Sequence, residues 1–119
     1  MKFCWSTLRV RDLDESLKFY SELMGLKINS RFKAGPDTEI AFLGDGNTQI
    51  ELICNKNGGD IEYNEDISWG FQVDSLNEMM NILKEKGINI SGPIQPVPNI
   101  KFIFIKDPNG FKIQLIENL

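Results

Sequence analysis

The hydrophobic pattern of the first half of the chain returns in the second half, 63 positions later. An internal repeat of this kind indicates two copies of one structural unit, which constrains the fold more than any single motif does. Identical residues coincide under this shift along several segments: Val10 and Val73, Leu13 and Leu76, Glu15 and Glu78, Glu22 and Glu85, Ile40 and Ile103, Ile50 and Ile113, Leu52 and Leu115, and Ile53 and Ile116. Gly25 and Gly87 lie 62 positions apart, which one deletion in the second helix or its cap would explain.

Each copy is predicted to be an α+β unit that runs strand, helix and then three strands. The strands of the first copy are predicted near 2–10, 26–33, 38–43 and 48–54, and those of the second near 67–73, 88–91, 101–106 and 111–117. The first helix opens at Asp12, with Glu15 three residues later, and closes at Gly25. The second helix begins with the capping box Ser75 and Glu78.

We predict one domain over residues 1–119, because a chain of this length supports one core rather than two large ones. It would consist of a first βαβββ module at 1–56, a linker at 57–65 and a second module at 66–119. The segment SGPIQPVPN (91–99) holds three of the five prolines and favours a stiff connector, with a lid as the alternative.

A unit with one sheet and one helix leaves one sheet face uncovered, so two curved sheets of this kind would enclose a cleft. Period-2 alternation places a mixed set of side chains on that face: Trp5, Thr7, Arg9, Glu51, Ile53 and Asn55. The repeat adds Ser68 and Gln114, at the positions that correspond to Trp5 and Glu51. Phe104 is a further apolar candidate. The alternative is that these polar residues face solvent on an open sheet.

The composition excludes several classes of site and partner. The chain has no histidine, which rules out histidine-based triads and His-containing zinc sites. With a net charge of −4 and no block of basic residues, we expect neither nucleic acid nor membrane as a partner. No apolar run approaches the roughly 18 residues of a membrane span. Two cysteines and no apolar leader at the start predict a cytoplasmic protein with reduced thiols.

Three segments, STLRVRDLDESLKFYSELMGLKI, QIELICNKNG and KDPNGFKIQLIE, resemble the vicinal-oxygen-chelate superfamily, and within it most closely the glyoxalase I (lactoylglutathione lyase) branch. The resemblance implies the paired βαβββ modules of the glyoxalase/bleomycin-resistance/dihydroxybiphenyl-dioxygenase fold. It also implies one divalent ion held by His or Gln near the start of each module and by Glu in each final strand. Those positions are Trp5, Ser68, Glu51 and Gln114 here, and only Glu51 has the acidic ligand of the family. An indole N–H cannot bind a cation, and the Gln114 amide is neutral.

Arg9 matches an arginine that binds a carboxylate of glutathione in glyoxalases, and Asn55 matches an asparagine that also contacts glutathione. The alternative for Arg9 is a structural pair with a neighbouring acid such as Glu51. We therefore expect a metal-free cleft, with no cofactor, that binds a small organic molecule as bleomycin-resistance-type relatives do. The ligand-binding residues would be Trp5, Thr7, Arg9, Ile53, Asn55, Ser68, Phe104 and Gln114.

Three other functions are compatible with the sequence. One is a divergent glyoxalase-type lyase or isomerase with a weak divalent metal site at Glu51 and Gln114. Another is a metal-free enzyme in which Glu51 is the general base in a dry pocket. The last is a partner-binding module without a small ligand. We also expect a homodimer, in which Trp5 and Glu51 of one subunit face Ser68 and Gln114 of the other, with closure inside one chain as the alternative.

Overall fold

A computed structural model describes all residues of the chain, 1–119, and divides them into two compact units, Met1–Glu62 and Tyr63–Leu119. Each unit runs strand, helix and three strands, so the predicted α+β fold of two βαβββ modules is confirmed. Each sheet has four strands in the same relative order, with the first strand of the unit parallel to the last and the other pairs antiparallel.

The first unit consists of β1 (Trp5–Arg9), α1 (Leu13–Leu17), β2 (Ile28–Lys33), β3 (Thr38–Leu43) and β4 (Gln49–Asn55), and α1 continues as a π-helical segment, Lys18–Leu23. The second unit consists of β5 (Trp69–Gln72), α2 (Leu76–Glu85), β6 (Ser91–Val97), β7 (Ile100–Lys106) and β8 (Lys112–Asn118). The strand orders are β1-β4-β3-β2 and β5-β8-β7-β6. Neither helix has the length and apolar character that crossing a membrane requires.

Both helices begin as their capping residues predict. The Asp12 carboxylate accepts a hydrogen bond from the Glu15 backbone N–H at 3.1 Å, and the Ser75 hydroxyl accepts one from the Glu78 N–H at 3.2 Å. A side-chain cap of this kind satisfies an N–H that has no partner within the helix. The same capping interaction therefore starts the helix in both copies of the repeat.

Each helix covers one face of its own sheet. The opposite face, here called the open face, is not covered by the helix. On the helix side the buried apolar side chains are Leu8, Leu13, Leu17, Tyr20, Ala41, Leu43 and Leu52 in the first unit and Leu76, Leu83, Ile103, Ile105, Ile113 and Leu115 in the second. An ion pair of 2.8 Å between Asp14 of α1 and Arg31 of β2 marks this side of the first sheet. Burying one large apolar side chain contributes about 1.5–3 kcal/mol to stability. Each helix-covered face buries several such side chains and is therefore the hydrophobic core of its unit.

The π-helical segment contains the extra residue by which the first helix exceeds the second. Leu26 N–H bonds to the carbonyl of Tyr20, six residues back, whereas the equivalent Ile88 N–H bonds to Leu83, five residues back. The bond from Met24 to Phe19 spans five residues, and its equivalent from Lys86 to Ile82 spans four. A π-helical turn holds one more residue than an α-helical turn. The predicted one-residue difference before Gly87 is thus confirmed and lies in the last helical turn.

The 62-residue offset continues through the third strand, which corrects one predicted equivalence. Ile103 of β7 pairs with Leu115, and the residue that pairs with the equivalent Leu52 is Ala41 rather than Ile40. Ala41 and Ile103 are both fully buried, as their shared position requires. The prediction that Ile40 corresponds to Ile103 is therefore wrong by one residue. The offset returns to 63 in the turn after this strand, where the second unit has one residue more.

The proline-containing segment 91–99, predicted to be a connector, instead contains the strand β6. This strand lies at the edge of its sheet and pairs with β7 at only three positions, with register shifts between them. Proline is tolerated in an edge strand because its missing N–H faces away from the ladder. The predicted strand at 88–91 and connector at 91–99 are therefore corrected to a strand at Ser91–Val97.

Candidate functional site

The strands β1 and β4 place Glu51 and its neighbours on the open face of the first unit. Thr7 and Glu51 are paired across the parallel strands, and Leu8 and Leu52, which follow them, point to the helix side and are 5% and 0% exposed. Trp5, Arg9, Ile53 and Asn55 share the face of Thr7 and Glu51 by the same alternation. In the second unit Gln114 lies between the fully buried Ile113 and Leu115, and therefore on the open face.

Thr7 orients the carboxylate of Glu51. Its hydroxyl donates a hydrogen bond to Glu51 Oε1 at 2.6 Å, the short distance typical of a hydroxyl bonded to a charged acceptor. Glu51 is half-buried and Thr7 is exposed, so the pair lies at the surface of the sheet. This arrangement gives the open face a carboxylate in a defined orientation.

Aromatic side chains next to Glu51 form a cluster, defined here as Trp5, Phe32 and Phe42. The Trp5 ring meets the Phe42 ring edge-on at 5.2 Å between centroids, and Phe42 stacks on Phe32 at 6.4 Å. Trp5 is 50% exposed and Phe32 45% exposed, so two of the three rings present surface to solvent. Trp5 is among the site residues predicted from the sequence, and the two phenylalanines are not. The alternation in TEIAFL contained the signal, since it places Phe42 on the open face, opposite Glu51.

Arg9 and Asn55 contact the segment that follows β4. The Arg9 guanidinium donates to the carbonyls of Gly58 and Asp60, each at 2.6 Å. The Asn55 side-chain oxygen accepts a hydrogen bond from the Asn57 N–H at 2.9 Å. Both side chains thus hold the backbone of this segment against the end of the sheet. The family resemblance implies that Arg9 binds a carboxylate of a ligand and that Asn55 contacts the same ligand.

The open face of the second unit combines an amide, two phenylalanines and a lysine. Gln114 pairs with Gly70 and Phe104, and a Cβ on Gly70 would lie 3.5 Å from Gln114 Oε1. Phe104 contacts Phe102 edge-on at 5.6 Å, and Lys112 Nζ lies 4.5 Å above the Phe104 ring. Ser68 precedes β5 and is exposed. Phe102 and Lys112 are not among the site residues predicted from the sequence, although Lys112 alternates onto the same face as Gln114.

The donor groups at the four family ligand positions do not fit a tightly bound transition metal. The first unit offers the Glu51 carboxylate and the Trp5 indole, and the second offers the Ser68 hydroxyl and the Gln114 amide. Transition metals prefer imidazole and thiolate ligands, and no group of three or more Cys, Asp or Glu side chains could hold a metal ion. Among these donors, the oxygens of Glu51 and Gln114 are of the kind that hard cations prefer.

A separate cavity of about 120 Å³ lies in the first unit, at the hairpin between β2 and β3. Its lining residues are Lys33, Pro36, Asp37, Thr38, Glu39, Cys54 and Lys56. None of the site residues predicted from the sequence lines this cavity. Its walls carry both lysines and acids, so their charges largely offset each other.

The chain resembles curated proteins along nearly its whole length. It is 32% identical to the lactoylglutathione lyase of Haemophilus influenzae, with 99% of this chain and 93% of that protein covered. It is 35% identical to the probable lactoylglutathione lyase of Vibrio parahaemolyticus, with 93% and 86% covered. Among solved structures, the trypanothione-dependent glyoxalase I of Leishmania major superposes with a TM-score of 0.84, at 25% identity and with 98% and 86% covered.

The family profile described as the Glyoxalase/Bleomycin resistance protein/Dioxygenase superfamily matches residues 3–115. This match spans both βαβββ units and includes every residue considered above for the two open faces. The chain belongs to the glyoxalase/bleomycin resistance protein/dioxygenase superfamily.

Proposed function

We propose that this protein binds a small, flat organic molecule on its open faces without a divalent metal ion. The observation that carries the proposal is Trp5, at a position where the resemblance implies a metal ligand. Its indole is 50% exposed and rests edge-on against Phe42, beside the carboxylate that Thr7 orients. A partly exposed indole that packs against a second ring offers a stacking surface to a ligand. An aromatic contact of this kind contributes about 0.5–1.5 kcal/mol in addition to the energy of the buried area.

The other candidates have supporting roles in this proposal. Ile53 extends the apolar surface of the first unit, and Phe104 does so in the second, while Ser68 and Gln114 supply hydrogen-bonding groups. Glu51 accepts hydrogen bonds from the ligand, because an ionised carboxylate is an acceptor only. Arg9 and Asn55 act through the segment 56–60, whose backbone they hold at the edge of the first sheet.

Titration with 2-naphthamide, a flat neutral probe, tests the proposal through the two tryptophan indole N–H signals in an NMR spectrum. We expect the Trp5 signal to shift and a Trp5→Ala variant to lose binding on the open face of the first unit. A Trp69→Phe variant is the matched control, because Trp69 packs against Phe111 at 4.9 Å on the core side. Binding that disappears after dialysis against EDTA, or stoichiometric nickel or zinc in protein purified without chelators, would contradict metal-free binding.

A second candidate function is a glyoxalase-type lyase or isomerase, favoured by relatives named lactoylglutathione lyase. Glu51 and Gln114 would then hold a weak divalent ion, or Glu51 would be the general base of a metal-free reaction. Formation of S-lactoylglutathione from methylglyoxal and glutathione, with and without added Ni²⁺, distinguishes this candidate from simple binding. Activity that requires the metal and is lost in Glu51→Gln would favour the lyase.

We propose the cytoplasm as the compartment of the protein. Cys4 and Cys54 are both free thiols, and reducing compartments keep cysteines in this state. Alkylation of both thiols in freshly lysed cells, without prior reduction, is the expected result, whereas a disulfide between them would contradict it.

A further inference from the structure

We propose that the open face of the second unit selects a ligand that carries a negative charge next to its flat ring, and that Lys112 recognises this charge. This inference rests on the proposed ligand-binding function and specifies the chemical class of the ligand. The geometry that supports it is the contact of the Lys112 ammonium with Phe104, beside Gln114 on the same strand.

Three side chains of this face lie close enough to contact one small molecule. Phe104 of β7 pairs directly with Gln114 of β8, and Lys112 is two residues before Gln114 and so shares its face. Lys112 Nζ lies 4.5 Å from the centre of the Phe104 ring, within the range of a cation–π interaction. A ring, an amide and a cation are therefore within reach of a ligand of about the size of two fused rings.

Lys112 differs from the other lysine nearby in its partners. Lys106 donates to both carboxylate oxygens of Glu65, at 2.7 and 2.8 Å, so an acid of the protein already compensates its charge. Lys112 has no carboxylate within 4 Å, and its closest described partner is the Phe104 ring. The pKa of Glu65 is lowered chiefly by the hydrogen bond from Lys106, and Lys112 contributes a smaller electrostatic part. Lys112 is thus the cation of this face that a ligand anion can pair with.

The two open faces also differ in charge at positions related by the repeat. Lys112 corresponds to Gln49, which accepts a hydrogen bond from Asn29 at 2.9 Å, and Gln114 corresponds to Glu51. The first unit therefore presents a carboxylate where the second presents an amide, and an amide where the second presents an ammonium. A carboxylate or other anion on the ligand is attracted to the second face and repelled by Glu51 on the first.

The experiment compares 2-naphthoate with 2-naphthamide by isothermal titration calorimetry at neutral pH and low salt. The two probes have nearly the same shape, and only the first is charged. We expect 2-naphthoate to bind at least about tenfold more tightly, which corresponds to about 1.4 kcal/mol. In Lys112→Met the two probes should bind with about equal affinity. In Lys112→Arg the preference for 2-naphthoate should persist, because the positive charge is retained.

Lys106→Met is the matched control, because it removes a lysine of the same face whose charge is already paired with Glu65. It should keep the preference for 2-naphthoate, and unchanged melting temperatures would show that all variants fold. Equal affinity of the wild-type protein for both probes, or an undiminished preference in Lys112→Met, would overturn the inference while leaving the proposed binding function intact. Binding of neither probe would overturn the proposed function and this inference with it.

Discussion

At the scale of single residues, two local contacts have measurable consequences for stability. Asp107 is 5% exposed, and its Oδ1 accepts hydrogen bonds from the backbone N–H groups of Asn109 and Phe111, each at 2.8 Å. These bonds hold the turn between β7 and β8 and so the start of the strand that carries Lys112 and Gln114. The open face of the second unit thus depends on one buried carboxylate below it.

We predict that Asp107→Ala lowers the free energy of unfolding by about 2–3 kcal/mol, because it leaves two turn N–H groups without their acceptor. Asp107→Asn retains one oxygen in the same place and should cost less. Urea denaturation of the two variants measures the difference. Equal losses in both would show that the carboxylate oxygen is not what holds the turn.

Gly58 provides a second prediction at this scale. A Cβ at this position would lie 2.6 Å from Arg9 Nη1 and 3.1 Å from the Asn55 carbonyl, so Gly58→Ala must displace the Arg9 side chain. We expect a loss of about 1–3 kcal/mol in unfolding free energy and faster proteolysis of the segment 56–60. Gly46→Ala is the matched control, because nothing lies within 4 Å of its Cβ, and it should be neutral or slightly stabilising.

At the scale of elements, the first helix differs from the second by the residue that its π-helical segment contains. Under the repeat Glu22 corresponds to Glu85, which makes Leu23 the surplus residue. Phe19 and Tyr20 both point into the core within this segment, and their rings meet edge-on at 5.0 Å. The wider turn thus lets two consecutive aromatic residues be buried.

We predict that deleting Leu23 leaves the first unit folded, with an α-helical last turn like that of the second unit. Deleting Lys84 from α2 is the control, and it should abolish cooperative unfolding, because α2 has no surplus residue and Leu83 would lose its register with the core. Near-ultraviolet circular dichroism and urea denaturation report both outcomes. An equal loss of cooperative unfolding in the two deletion variants would contradict the assignment of Leu23 as the surplus residue.

The link between α1 and the sheet predicts a pH dependence. Arg31 contacts Glu39 at 2.9 Å and Asp14 at 2.8 Å, and its hydrogen bond lowers the pKa of Glu39 below the ordinary 4.5. A carboxylate with a lowered pKa stabilises the fold above pH 4.5, and this contribution is lost as the pH falls through the folded-state pKa. The wild-type protein should therefore have a higher free energy of unfolding than Glu39→Gln near neutral pH. This difference should disappear as the pH falls into the acid range. In an Arg31→Met background the effect should be much smaller.

At the scale of the whole molecule, the exposed apolar surface favours self-association. Five large apolar side chains of the strands are between 41% and 50% exposed: Trp5, Ile28, Phe32, Ile94 and Val97. The edge strands β2 and β6 are exposed along their full lengths. Exposed apolar patches and unpaired edges are surfaces that proteins usually cover.

We propose that the protein is a homodimer and expect sedimentation equilibrium at about 30 μM to give twice the chain mass of 13.6 kDa. Phe32→Ser should shift the equilibrium toward the monomer, because it replaces an exposed ring of the edge strand β2 by a polar side chain. Lys18→Ser, on the exposed side of the helical segment, is the control and should leave the mass unchanged. A wild-type mass of 13.6 kDa would contradict the proposal.

Local patterns in the sequence were sufficient for most elements, although not for the edge strand β6, and for the faces of the strand side chains. The caps at Asp12 and Ser75 depend on residues three apart, and the open-face positions of Glu51 and Gln114 depend only on the period of a strand. The repeat strengthened both predictions, because each pattern occurs twice. The family resemblance then added the expectation of two βαβββ modules of the glyoxalase/bleomycin-resistance fold.

Only the tertiary structure decided where Ile103 pairs, what Arg9 contacts and which ring packs against Trp5. Strand register places Ile103 opposite Leu115, and it depends on a one-residue insertion whose position the sequence shows only through Gly25 and Gly87. The carbonyls that Arg9 binds lie about 50 residues away along the chain, and backbone carbonyls have no sequence signature. Periodicity determines the direction of a side chain, whereas its partners depend on contacts between residues that are distant in the sequence, and these form only when the chain folds.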